Sequence, residues 1–206
     1  MEAYGRDVGP VLWEWNALHV QFFHLFWLIL DKPRPQCLEL WSVSNSDDLQ
    51  RKMLRALAYS HYRTTKDKIE RRAVRGLIWA IDQTNKFAAS RNVATHVPMA
   101  FHRDPDGKLY PMADTLFVRP TSAVRHLFLT MEQRWKVIAE DLHALGQYVL
   151  CLAIPWASAV QGRVPPPSPR KPRLRSLPIL QEMNVLAERI TGQPKRRRQR
   201  RASKKK

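Results

Sequence analysis

Cysteine is nearly absent from this chain: Cys37 and Cys151 are the only two, far apart and without a CxxC spacing. That excludes a disulfide-framed mini-protein, a zinc knuckle and a dithiol redox pair. One long-range disulfide between them stays open, but two scattered cysteines in a basic chain read as thiols in a reducing cytosol. A cytoplasmic location is therefore expected. Glycine is scarce as well, with seven in 206 residues. Collagen and a flexible Gly/Ser linker are excluded, and no Gly-rich phosphate loop, HExxH or GxSxG occurs. No paired carboxylates stand in a catalytic setting, and no cofactor is implied. Metal ligands are missing too: His19 and His24 are five apart rather than four, which suits core or interface positions better than a shared ligand face. His102 stands beside Asp104 and Asp106, but turn chemistry accounts for those aspartates.

Near the start of the chain an uninterrupted hydrophobic run is also missing. Val11 to Leu30 is strongly apolar, yet it contains Glu14, Asn16, His19, Gln21 and His24. So many polar groups in hydrocarbon would be costly, so no membrane span is expected there. A basic leader region and a small-residue cleavage site are lacking as well.

What is present is 44% apolar residues, with seven tryptophans and seven phenylalanines. That is enough for one packed, helix-rich domain. The formal charge is +17, and it is concentrated. Between Val164 and Lys206 stand 14 Lys/Arg against Glu182 and Glu188, along with seven of the 15 prolines. The expected organisation is a helical domain over 1–163, a Pro-rich linker over 164–176, a short amphipathic helix over 177–192 and a disordered basic tail over 193–206. The linker opens with Pro165-Pro166-Pro167-Ser168-Pro169, a polyproline II spacer by composition. In the tail, Lys195, Arg196, Arg197, Arg198, Arg200, Arg201, Lys204, Lys205 and Lys206 repel one another and attract polyanions. No aromatics interleave them, so a nucleic acid would be held there by its phosphates.

The body reads as mainly α: a helical bundle with a small β-hairpin inserted before the last core helix. Pro10 suits the first turn of a buried helix, with Trp13, Leu18, Phe22, Phe26 and Ile29 on one face, ended by Asp31-Lys32-Pro33. A short helix follows over about 36–43. Ser44 or Ser46 caps the next, whose first turn holds Asp47 and Asp48 at the positive end of the helix dipole. Leu49, Met53, Leu54, Leu57 and Ala58 are expected to face inward. Thr64 or Thr65 caps a long helix from Lys66 to about Thr95, stopped by Val97-Pro98. Asp104-Pro105-Asp106-Gly107 is a type I turn sequence joining two short strands, and Thr115–Val118 suggests a third strand. Thr130-Met131-Glu132-Gln133 forms a capping box for a last helix that Pro155 ends.

One segment carries a recognisable chemistry. Arg91-Asn92-Val93-Ala94-Thr95-His96 closes the longest helix. Arg55 to His61 and Arg119 to His126 have similar spacing, but neither Arg is followed by a polar residue. An Arg, a polar neighbour and a His a few positions on resemble the signature of the HEPN superfamily, and the helical layout over about 11–154 is similar too. The resemblance implies a metal-independent endoribonuclease, or an RNA-binding protein, of a bacterial defence or toxin type. It also implies a homodimer whose two motifs share a cleft, and an antitoxin-like protein partner. By that analogy Arg91 holds phosphate, His96 moves protons at the 2′-hydroxyl or the leaving oxygen, and Asn92 assists. A His at the negative end of a helix dipole favours its protonated form, which suits that role. The alternative is a non-catalytic dimerisation or interaction module whose basic tail binds nucleic acid. In that version Arg91 and His96 merely cap and bridge a helix end.

Overall fold

Pro10 sets no boundary. In the computed structural model, which describes residues 2–96, 99–103, 109–113, 131–160 and 166–175, the first helix α1 runs Glu2–Leu30 with Pro10 inside it. Proline removes one backbone donor and leaves the carbonyl of Arg6 without its helical partner. Gly5, Arg6, Gly9 and Pro10 are all exposed, so this lost bond falls on the solvent side of the helix, where an unpaired carbonyl costs least. The buried stripe is Val8, Val11, Trp15, Leu18, Phe22, Leu25, Phe26 and Ile29. Trp13, expected on this face, is 74% exposed; Trp15, two positions on, points into the core instead. The end of α1 falls where expected, at Asp31, whose φ of 51° lies in the left-handed region that Asp tolerates better than most residues.

Helix α2 (Arg34–Ser42) starts with Pro35 in its first turn and buries Cys37 and Trp41. The Trp41 ring lies 5.9 Å from Phe23 and 5.2 Å from Phe26. Helix α3 (Asp47–Thr64) is capped by Ser46, whose hydroxyl accepts from Leu49 N at 3.4 Å. Only part of the expected inner face of α3 is inside. Leu54 and Ala58 are buried, Leu49 is exposed, and the side chain one turn before Leu54 that is fully inside is Arg51.

Helix α4 (Lys68–His96) begins two residues later than the sequence suggested, because Asp67 rather than a threonine caps it. Asp67 Oδ1 accepts from Ile69 N at 2.7 Å and Glu70 N at 2.8 Å, a carboxylate capping that outcompetes a hydroxyl. Thr65 turns its hydroxyl to Glu70 instead. Helix α5 (Met131–Val160) passes through Pro155 and goes on for five residues. Trp156, just beyond the proline, is buried and packs on the His61 ring at 4.8 Å. Burying that ring favours continuing the helix over ending it.

The core lies where α1, α4 and α5 meet, with α1 and α5 in the most extensive contact. Trp135, Ile138, Leu142, Leu145, Val149 and Leu152 line the inner side of α5. Gly76 lets α4 approach α5 closely: a Cβ there would stand 2.5 Å from Tyr148 Oη and 3.0 Å from Leu152 Cδ2. The stretch Trp135–Ser158 is long and apolar enough to cross a membrane by length and composition. Its inward side is the core just named, while Leu150 and Ile154 on the same stretch are exposed.

After α4, strands β1 (Met99–Arg103) and β2 (Leu109–Ala113) pair antiparallel, with Met99 opposite Ala113 and Arg103 opposite Leu109. The turn expected at Asp104–Gly107, the strand at Thr115–Val118, the cap at Thr130 and the helix and tail from 177 onward lie outside the described residues. Residues 166–175, neither helix nor strand, run as a strap against the helical body. Leu174 packs against the core, Lys171 Nζ lies 5.1 Å above the Trp79 ring, and Arg175 pairs with Glu140.

Candidate functional site

Arg91 meets the start of α3. Helices α3 and α4 are joined by a three-residue turn, so they run antiparallel. Their polar residues pair across the seam: Arg91 with Asp47, Arg51 with Asn85, and Arg55 with Asp82. The end of α4 is thereby brought back to the first turn of α3 and to the middle of α1.

Asp47 is the hub. Its Oδ2 accepts from Trp15 Nε1 at 2.9 Å and lies 3.3 Å from Arg91 Nη2. Partial burial pushes its carboxyl up. The Trp15 N–H and the neighbouring His19, Arg91 and Arg51 outweigh that and hold it below the ordinary carboxylate value. The Trp15 ring forms the floor, with the Arg51 guanidinium 5.2 Å and the Arg91 guanidinium 5.8 Å from its centre. Such stacking suits planar guanidinium groups and fixes their orientation.

Beneath the aspartate lies a buried pair. Arg51 is only 3% exposed. Its Nε donates to Asn85 Oδ1 at 2.8 Å, its Nη1 to His19 Nε2 at 3.0 Å, and its Nη2 lies 3.9 Å from Asp48. His19 Nδ1 lies 2.9 Å from the Trp15 carbonyl. The carbonyl can only accept and the guanidinium can only donate, so the proton of neutral His19 sits on Nδ1. Desolvation holds the His19 pKa below its ordinary value, consistent with that neutral form.

Above these groups opens a cavity of about 440 Å³, lined by Trp15, Asn45, Ser46, Asp47, Asp48, Arg51, Ala88 and Arg91. Its chemistry is two guanidinium groups, two carboxylates, an indole face and short polar side chains. Such a set can hold a planar or anionic group against the arginines, with the aspartates restraining their charge.

Of the three residues singled out in the motif, Arg91 lines this cavity, with its side chain 27% exposed. Asn92 and His96 belong to α4, which ends at His96, but their side chains lie outside the described residues. So do the nine basic residues of the tail. Among the described residues, no three His, Cys, Asp or Glu side chains cluster as metal ligands would, and Cys37 and Cys151 are free thiols. The reading of His19 as an interior residue matches its burial. Its partner Arg51 was not singled out, nor was Asp47 beyond its helix-dipole role. An arginine at an inward position of α3 was the available signal, since a core-facing charge needs partners.

No family model matches this chain, and no curated protein or solved structure is detectably similar to it. The class is therefore set by the fold alone: a mainly helical protein with a two-arginine polar cavity where α1, α3 and α4 converge.

Proposed function

We propose that this chain is a HEPN-like helical protein that acts on RNA, a metal-independent endoribonuclease with Arg91 and His96 as its chemical groups. The observation that carries the reading is the place of Arg91. It stands in the last turns of α4, five residues before the His that ends it, with its guanidinium lining an open cavity beside Arg51. In this reading the cavity receives a phosphate or base next to Arg91. His96 exchanges the proton at the 2′-hydroxyl or leaving oxygen, and Asn92 steadies the substrate. The basic tail adds sequence-independent attraction for phosphate. A second copy of the chain is assigned to the surface of α1 that leaves Trp13 and Val20 exposed two turns apart.

The second reading, a non-catalytic interaction module with a nucleic-acid-binding tail, is favoured by one observation: Arg91 is engaged with Asp47, which suffices to explain it as a bridge between helices. Cleavage of a labelled mixed-sequence RNA in EDTA separates the two. Cutting by the wild type that Arg91→Ala and His96→Ala both abolish, with the variants still folded, supports the ribonuclease. Binding without cutting at any protein concentration selects the interaction module, and cutting that survives both changes removes the site from consideration.

A further inference from the structure

A second charged feature lies on the other end of α4, away from Arg91. Lys68, Arg71, Arg72 and Arg75 follow the spacing i, i+3, i+4, i+7, so they form one stripe on the helix surface. Together with Tyr62 and the strap residues Pro166–Ser168 they line a groove of about 480 Å³ that no described carboxylate enters. The two acids nearest in sequence are occupied elsewhere. Asp67 caps the α4 backbone, and Glu70 accepts from Thr65 and lies 3.3 Å from His61 Nε2. Among the described residues, none of the four cations forms an ion pair with a carboxylate. Further along the strap, exposed Arg170 and Lys171 add to the same positive region.

Four like charges along one helix stripe repel one another and cost helix stability. Closing the strap over them concentrates the charge further, and Pro166-Pro167 brings a stiff wall without a single N–H donor. An anionic occupant offsets that repulsion. From Lys68 to Arg75 the stripe covers about 10 Å of helix, long enough to meet a few successive phosphates of a single strand rather than one isolated anion. Tyr62, with Arg71 stacked 4.9 Å from its ring centre, supplies a flat face of the kind bases stack on. An acidic lipid surface would call for exposed apolar anchors beside the cations, and Ile69 is the sole apolar side chain of α4 lining the groove.

We infer that this groove is a nucleic-acid backbone site that binds single-stranded RNA through its phosphates, separate from the C-terminal tail. The inference does not depend on the Arg91–His96 chemistry and holds for either reading of that site. It is tested on the full-length chain with a fluorescein-labelled 20-nucleotide mixed-sequence RNA, titrated by anisotropy over a range of salt. The Lys68→Gln/Arg72→Gln/Arg75→Gln variant is compared with Lys32→Gln/Arg34→Gln/Lys136→Gln, which removes the same charge from other exposed positions.

The stripe variant is expected to bind about tenfold more weakly at moderate salt. Its salt slope should be shallower by about two, the loss of three phosphate contacts on a single strand. The comparison variant should stay near wild type. Equal weakening of both, or of neither, overturns the inference, because the tail or the overall charge then does the binding. Dependence on the stripe for pelleting with phosphatidylserine vesicles, with RNA affinity unchanged, overturns it in favour of lipid headgroups. Amine-reactive labelling of the wild-type chain gives a readout free of any folding defect: added RNA should protect Lys68 and Lys171, and unchanged labelling counts against the site.

Discussion

Arg51 Nη1 donates to His19 Nε2 across 3.0 Å in the interior, joining α3 to α1 through a guanidinium and a neutral imidazole. The arrangement holds only while His19 stays unprotonated. Burial disfavours its charged form, and Arg51 and Arg91 oppose it too, while the Trp15 carbonyl and Asp47 pull the other way without prevailing. The folded-state pKa therefore lies below the unfolded value of about 6.5. Below that value the unfolded chain takes up a proton that the folded chain resists, so stability falls as the pH is lowered from about 6.5 through the depressed folded pKa. Thermal melts between pH 7.5 and 5 should show a steeper loss of Tm for the wild type than for His19→Gln, which cannot titrate. Parallel curves would mean that His19 takes up a proton inside the fold as readily as in the unfolded chain.

Arg51 should be intolerant of substitution although no chemistry is assigned to it. Arg51→Ala leaves His19 Nε2 buried without its donor and opens space beside Trp15. A loss of about 2–3 kcal/mol follows from removing charge-assisted hydrogen bonds at a buried site, or roughly 4–12 °C in Tm for a chain of this size. Arg51→Lys should recover little of it. A single ammonium cannot bond His19 and Asn85 at once while lying over the indole. Denaturation midpoints of the two variants measure this directly.

Gly76 offers a test of the packing between α4 and α5. In an exposed helix Gly→Ala would stabilise by up to about 1 kcal/mol. Here the new methyl would meet Tyr148 Oη at 2.5 Å, and overpacking of this kind costs about 1–3 kcal/mol. Gly76→Ala should therefore destabilise. Tyr148→Phe, which removes the obstructing oxygen, should return most of the loss when the two are combined. A coupling energy near zero in that double-mutant cycle would place the two helices further apart than described.

The mainly helical character was legible in the sequence because it rests on periodic apolar residues, and the stripes Leu18–Phe22–Phe26 and Ile138–Leu142–Leu145 are buried as their spacing implies. Boundaries were less legible. Pro10 looks like a start and Pro155 like a stop, yet each helix runs past its proline, and Val8 and Trp156, on the far side of each, are buried. The polar cluster was the least legible part. Trp15, Asp47, Arg51 and Arg91 come from three helices, and nothing in their local spacing announces that they meet. Their encounter depends on the antiparallel register of α3 against α4, which Asp67 helps set by fixing where α4 begins. Arg91 could be picked out by its own motif; its partner Asp47 looked like an ordinary first-turn acid.

That pairing also supplies a test linking stability to the proposed chemistry. The Asp47 carboxylate feels a desolvation cost but is held below its ordinary pKa by Trp15 Nε1–H, His19, Arg91 and Arg51. A depressed carboxyl contributes stability above its unfolded pKa and loses that contribution as the pH falls through the folded value. Asp47→Asn can still accept from Trp15 but cannot hold Arg91 by charge. It should lose about 1 kcal/mol at neutral pH, the scale of a partly exposed pair screened by solvent, and nothing relative to wild type once the pH is below the carboxylate range. If Arg91 serves RNA cleavage, Asp47→Asn should slow it by a smaller factor than Arg91→Ala does, because the guanidinium is still present but less well placed. A variant that loses stability while wild-type RNA binding persists, with no cleavage in either protein, would instead mark Arg91 and Asp47 as a bridge between α3 and α4.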